Sequence, residues 1–157
     1  MNAAETVRSI DQARAVAAVV DLFRREFPAA RANLTPWRDD PLTRRFSEEE
    51  TLDLAFHFPG WSPRLQCRSL LLQLRLAAAA GAPSSAAEAD EQAPRSRPRL
   101  MGVLMRGMTY DGERWRLATV GDWHPSGPHL PQPEHVERLQ GLCRQLFELY
   151  PSDRLAA

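Results

Sequence analysis

An α+β fold is predicted by three features of the sequence. Apolar residues recur every three to four positions near both ends, they alternate strictly in the middle, and an Asp111-Gly112 pair separates two alternating runs. Together these give the order helix, four antiparallel strands in a meander, helix. Two amphipathic helices cover one face of such a sheet, so the expected architecture is an open-faced sandwich whose second face is left to solvent or a partner. With 157 residues, 43% of them apolar, the chain is expected to form one domain over 1-157.

Ser9 and Gln12 make a capping-box pattern, in which the hydroxyl accepts from a first-turn amide and the Gln side chain returns a bond to the backbone. Val16, Val19, Val20, Phe23 and Phe27 then share one helical face, with Asp21, Arg24 and Arg25 off it, until Pro28 stops the helix. Residues 28-46 contain Pro36 and Pro41 and read as an irregular connection whose Leu34 and Trp37 tuck onto the core. From Thr51 to Phe58, Leu52, Leu54, Phe56 and Phe58 alternate with Asp53, Ala55 and His57. That alternation outweighs the helix cap offered by Ser47 and Glu50 and predicts the first strand. Pro59-Gly60-Trp61-Ser62-Pro63 reads as a loop wider than two residues. The second strand is expected from Arg64 to Leu76, where Leu65 and Cys67 differ in parity from Leu70, Leu72 and Leu74. A bulge near Ser69 brings all five to one face and leaves Gln66, Arg68, Gln73 and Arg75 on the other.

Residues 77-97 hold no large apolar side chain and read as a flexible Ala/Pro/Ser-rich insert. Leu100 to Tyr110 and Glu113 to Trp123 form the hairpin. A two-residue turn mixes Arg and Trp on both faces, whereas a turn with a bulge at Gly112 pairs Thr109 with Glu113 and sorts the side chains. The second register puts Met101, Val103 and Met105 with Trp115, Leu117 and Thr119 on the core side, Trp115 opposite Gly107, Arg106 opposite Arg116 and Arg114 opposite Met108. Proline and glycine interrupt the chain after Asp122, and Pro133 starts the last helix with Glu134 in its first turn. Val136, Leu139, Leu142, Cys143, Leu146, Phe147 and Tyr150 are its buried stripe.

All 20 basic residues are Arg, balanced by 20 acidic residues. Zero net charge argues against a domain that binds nucleic acid over a broad surface, leaving only a local patch for that role. Cys67 and Cys143 are too few for a disulfide framework or a cysteine-rich zinc site and read as buried apolar residues. The sequence has neither an apolar run long enough to cross a membrane nor a signal-peptide pattern, so a cytoplasmic protein without membrane contact is expected.

Two constellations carry the functional expectations. On the uncovered sheet face, Arg68, Arg75, Arg106, Arg114 and Arg116 stand with Asp53 and His57 among Leu71, Leu104, Met108, Ala118 and Val120. Arg106 facing Arg116 costs about 0.2–1 kcal/mol unless an anion or an acidic partner offsets it. An Arg and Met mixture suits protein recognition, although the bland role of Arg stems shielding a half-buried sheet is the competing explanation. The register places no aromatic ring on that face, which disfavours recognition of single strands by base stacking. The element order resembles that of double-stranded-RNA-binding domains in topology alone, without a basic cluster at the last helix. The second constellation is His124, His129 and His135, with Asp122 and Glu134 between them, a ligand set that suits zinc or iron but at no established spacing. No serine elbow, phosphate loop or supported Cys-His pair is present. Asp53 and His57 lie about 13 Å apart along one strand, too far for a dyad.

The expectation is thus a non-catalytic assembly factor, adaptor or regulatory subunit without a cofactor. It presents the Arg-bearing face and the proline-rich 123-133 loop to a protein partner. The alternatives are a phosphate-ligand or duplex RNA module using the same arginines, and metal-dependent chemistry at the three histidines.

Overall fold

The computed structural model describes residues 1–37, 51–77 and 99–150. The expected insert therefore lies outside the described residues except for Ala77, as do Pro41 and the cap offered by Ser47 and Glu50. In chain order the elements are α1 (Ala3–Thr6), α2 (Ile10–Glu26), β1 (Arg31–Asn33), β2 (Thr51–Ser62), β3 (Cys67–Ala77), β4 (Arg99–Thr109), β5 (Gly112–Ala118) and α3 (Pro133–Leu149). The strands form one antiparallel meander in the order β1-β2-β3-β4-β5. The fold is α+β as expected, with five strands rather than four. Three-residue β1 is too short to show a period of two, and its register with β2, Arg31 opposite His57, is a tertiary fact.

Both long helices cover the same face of the sheet. Ser9 caps α2 by accepting from the Gln12 amide at 3.2 Å, while Gln12 Oε1 accepts from the Arg8 amide, one residue before the cap. Val16, Val19 and Phe23 of α2 and Leu139, Leu142, Cys143 and Leu146 of α3 share one buried cluster with Leu54, Phe56, Leu70, Leu72, Leu74, Met105, Trp115 and Leu117 of the sheet. Phe23 stacks on Phe56 with ring centroids 4.7 Å apart, which pins α2 to β2. Leu65 and Cys67 join this core together with Leu70, Leu72 and Leu74, so the parity of β3 does switch between Cys67 and Ser69. The wide loop falls later than expected: β2 continues through Pro59 and Gly60 to Ser62, and the chain turns at 63–66, where Gln66 has φ 54°.

Two register details depart from the sequence expectation. In the hairpin, Thr109 pairs with Gly112 rather than with Glu113, and Tyr110 and Asp111 form the two-residue turn. The extra residue sits one step later: Met108 pairs with Glu113 and Gly107 with Trp115, so Arg114 is the bulge instead of Met108's partner. Trp115 still lies opposite Gly107 and Arg106 opposite Arg116, as the side-chain sorting required. In β4, Arg75 pairs with Gly102 and Leu76 with Leu100, which makes Met101 an extra residue. Met101 is accordingly 52% exposed and Leu100 fills the core place assigned to it.

The outer edge of β5 is closed by the proline-rich loop. Arg116 and Ser126 exchange two backbone hydrogen bonds of 2.8 Å, and the His129 amide donates to the Arg114 carbonyl. Covering the edge in this way removes a template for intermolecular strand pairing. Gly127 (φ 147°) lets the loop approach, because a Cβ there would overlap the Arg114 carbonyl.

Trp115 is fully buried, its indole N–H donating to the Leu65 carbonyl at 2.6 Å while its ring lies over Gly107. A Cβ on Gly107 would overlap that ring, so Gly107→Ala is expected to lower unfolding stability by about 1–3 kcal/mol in urea titrations. Gly60→Ala, where the added atom meets nothing, is expected to stay within about 0.5 kcal/mol.

Candidate functional site

Register sets which side chains share the second face of the sheet. One row across it reads Asn33, Ala55, Leu71, Arg106 and Arg116, and the next reads Arg31, His57, Ser69, Met108 and Glu113. This face was expected to be bare, and over its middle it is not. Trp37 is buried on it with Ala55, Leu71 and Met108 instead of joining the helix-covered core. Asp53 and Gln73, expected to meet water, are 0% and 2% exposed.

Asp53 explains why Trp37 stays there. Its carboxylate accepts from the Trp37 indole N–H at 2.6 Å, the Thr51 hydroxyl at 2.5 Å and the Met1 amine at 3.0 Å. Asn2 Oδ1 takes the Trp37 backbone amide, so residues 1–2, 37 and β2 meet at one buried node. Burial pushes the Asp53 carboxyl above its ordinary 3.8, outweighing the hydrogen bonds and the amine that draw it down.

The paired arginines have their counter-ion within the chain. Arg106 is 8% exposed; its Nη1 donates to Gln73 Oε1 at 2.6 Å and its Nε lies 3.0 Å from Glu113 Oε1. Glu113 Oε2 is 3.2 Å from Arg116 Nη2. The Arg114 bulge puts Glu113 on the same face as both guanidinium groups, and one carboxylate relieves their repulsion. Arg106 is therefore a buried structural residue and not an open contact, whereas Arg116 remains 56% exposed. Arg114 holds its Nε in a buried position without an acceptor among the described residues. Arg75 is exposed at the far end of β3. Arg68 lies over the Tyr110 ring, 4.3 Å from its centroid. The five arginines thus form no single cluster: Arg106 and Arg116 are joined through Glu113, and Arg68 and Arg75 mark opposite ends.

Aromatic rings do reach this face, contrary to expectation. Tyr110 is 77% exposed and Trp61 44% exposed. Ser62 pairs with the core residue Cys67, so strand alternation turns the preceding Trp61 away from the core. Tyr110 was legible as a turn neighbour, but Trp61 was hidden by reading Pro59 to Pro63 as a loop.

The three histidines are not brought together. His124 and His129 are exposed in the loop, His135 is buried in the first turn of α3, and among the described residues no three His, Cys, Asp or Glu side chains are placed to hold a metal ion. A different trio does form. His57 Nδ1 is 2.8 Å from Ser69 Oγ, and His57 Nε2 is 3.3 Å from Asn33 Nδ2. It resembles a nucleophile, base and orienting residue, but its proton is on the wrong nitrogen. Asn33 Oδ1 is taken by the Thr35 amide at 2.9 Å, so Asn33 offers its NH₂ to Nε2. Nε2 must then accept and Nδ1 must donate to Ser69, the reverse of what a general base requires. Both thiols are likewise quiet, since burial pushes Cys67 and Cys143 up to about 12.

The described residues form an α+β fold with one antiparallel sheet, one face under helices and the other partly closed by Trp37. A family model described as a domain of unknown function matches residues 4–152, and the chain belongs to that family. No curated protein and no solved structure matches it. Among the described residues no helix is long and apolar enough to cross a membrane.

His57 is held below its ordinary 6.5 by burial and by the Arg31 charge. The unfolded chain then binds more protons below that value, so His57 costs stability as the pH falls through 6.5, whereas Asp53, with its raised value, favours the folded state in acid. Urea titrations from about pH 7 to about pH 5 should show the wild type losing stability relative to His57→Gln. Glu113→Ala strips the counter-ion from buried Arg106 and is expected to cost about 1–3 kcal/mol, against about 0.5 kcal/mol or less for the exposed Arg116→Ala.

Proposed function

We propose that this domain is a non-catalytic interaction module, a cytoplasmic assembly factor, adaptor or regulatory subunit. It binds a protein partner at the end of the second sheet face where the β2–β3 and β4–β5 turns lie. The carrying observation is the Tyr110 ring, largely solvent-exposed yet held in place by the guanidinium of Arg68. Trp, Tyr and Arg are the residues that most often dominate binding energy, and a pre-ordered ring loses less entropy on association. Trp61 supplies a second anchor on the same side. The charge pattern gives less support to duplex RNA or a phosphate ligand, because Arg106 is buried and shares Glu113 with Arg116.

The test is cross-linking of the intact protein to its partner in the native cell, followed by mass spectrometry and affinity measurement with the partner so identified. Trp61→Ala combined with Tyr110→Ala should weaken binding by about 2 kcal/mol or more with an unchanged melting temperature. Met101→Ala, an exposed residue at the opposite end of β4, should leave it intact. Equal affinity of the double variant and the wild type would overturn the reading.

A further inference from the structure

The end of the face that carries Trp61 and Tyr110 also has a charge pattern with a defined spacing. Arg31 of β1, Arg68 of β3 and Arg116 of β5 sit on alternate strands. Arg31 shares a row with His57, whose proton affinity it lowers, and Arg116 lies two residue pairs away from the row of Ser69 and Glu113. With strands about 4.8 Å apart and about 3.3 Å per residue along them, Arg31 lies about 10 Å and Arg116 about 14 Å from Arg68, and the whole series spans about 20 Å. Arg64, exposed in the turn beside Trp61, adds a fourth cation to exposed Arg31 and Arg116 and half-buried Arg68, while Asp111 is the exposed carboxylate of the hairpin turn. Glu113 is held between Arg106 and Arg116. In a chain with 20 basic and 20 acidic residues, this is a local excess of positive charge.

The geometry points to an extended acidic segment of a partner protein as the occupant, about six to eight residues laid across the strands. This inference rests on the interaction-module reading above. An extended chain advances about 3.3 Å per residue, so carboxylates three to four positions apart come within reach of arginines about 10–14 Å apart. Arg68 is suited to the central contact, because a guanidinium over the Tyr110 ring, 4.3 Å from its centroid, carries five N–H donors that can meet a carboxylate bidentately. Apolar side chains of the segment meet Trp61 and the open part of Tyr110. A single-stranded nucleic acid fits less well, since the middle of the face, where bases would stack, is filled by Trp37 over Ala55, Leu71 and Met108.

The experiment is a titration of the full chain, ¹⁵N-labelled, with three probes: an array of peptides of about eight residues with Glu alternating with Leu or Phe, the same array with Gln for Glu, and an oligouridylate of about twelve nucleotides. The Glu peptides are expected to shift the Trp61 indole and Arg68 Nε signals and to bind about tenfold more tightly than their Gln counterparts, with weaker binding as salt rises. Arg68→Gln and Arg31→Gln should each reduce that affinity about fivefold, and Arg24→Gln on the far side of α2 should not. Equal binding of Glu and Gln peptides at Trp61 would overturn the acidic segment while leaving a protein-binding surface in place. No shift at Trp61 with either array, or a tighter complex with oligouridylate, would overturn both.

Discussion

One inserted residue, Arg114, organises both faces of the sheet. By bulging out of β5 it keeps Trp115 opposite Gly107, where the indole fills the space a side chain would need and bonds the Leu65 carbonyl. By the same shift Glu113 comes to lie with Arg106 and Arg116 on the other side, between two like charges that would otherwise repel. The Arg114 carbonyl also receives the His129 amide, so the strand that carries the bulge is the one whose outer edge the proline-rich loop closes. Core anchor, charge balance and edge protection therefore depend on a single local irregularity.

A second constraint works from the opposite edge. Asp53 is buried, and a buried carboxylate without donors is costly. It finds them in Trp37, Thr51 and the Met1 amine, three positions distant from one another along the chain. The demand of one acidic side chain for partners thus draws an indole across the second face, and that indole shelters Leu71 and Met108. The sheet is consequently not a sandwich with one dry and one wet side. Among the described residues its second face is closed in the middle by Trp37, while Tyr110 at one end and Arg75 at the other are exposed.

This distribution bears on function by separating arginines that look alike in sequence. A guanidinium bound to Gln73 and Glu113 maintains the sheet, and its removal is a stability event. A guanidinium lying over an exposed ring is different, because its contact with Tyr110 is made at the surface, where a partner can reach both. The trio of Asn33, His57 and Ser69 makes a parallel point about catalysis. Its distances suit a hydrolytic centre, yet the Thr35 amide and hydroxyl both donate to Asn33 Oδ1, which turns the Asn33 NH₂ to the imidazole and sets the ring as a donor toward the serine.

Periodicity alone determined the two helices, the meander, the helix-covered core and the pairing of Arg106 with Arg116, because each follows from which residues must leave water together. The Asp111-Gly112 signal located the hairpin, and the need to sort Trp from Arg required an irregularity, but not its position; Gly112 and Arg114 both satisfy the pattern. Short β1 left no periodic trace, and Pro59-Gly60 concealed the continuation of β2 to Trp61. Only tertiary structure decided that Trp37 lies across Asp53, that Glu113 joins two arginines, and that Met101 turns outward in favour of Leu100. The first depends on groups far apart along the chain and the other two on where each strand takes its extra residue, and both are settled by packing and hydrogen bonding in three dimensions that leave no mark on local pattern.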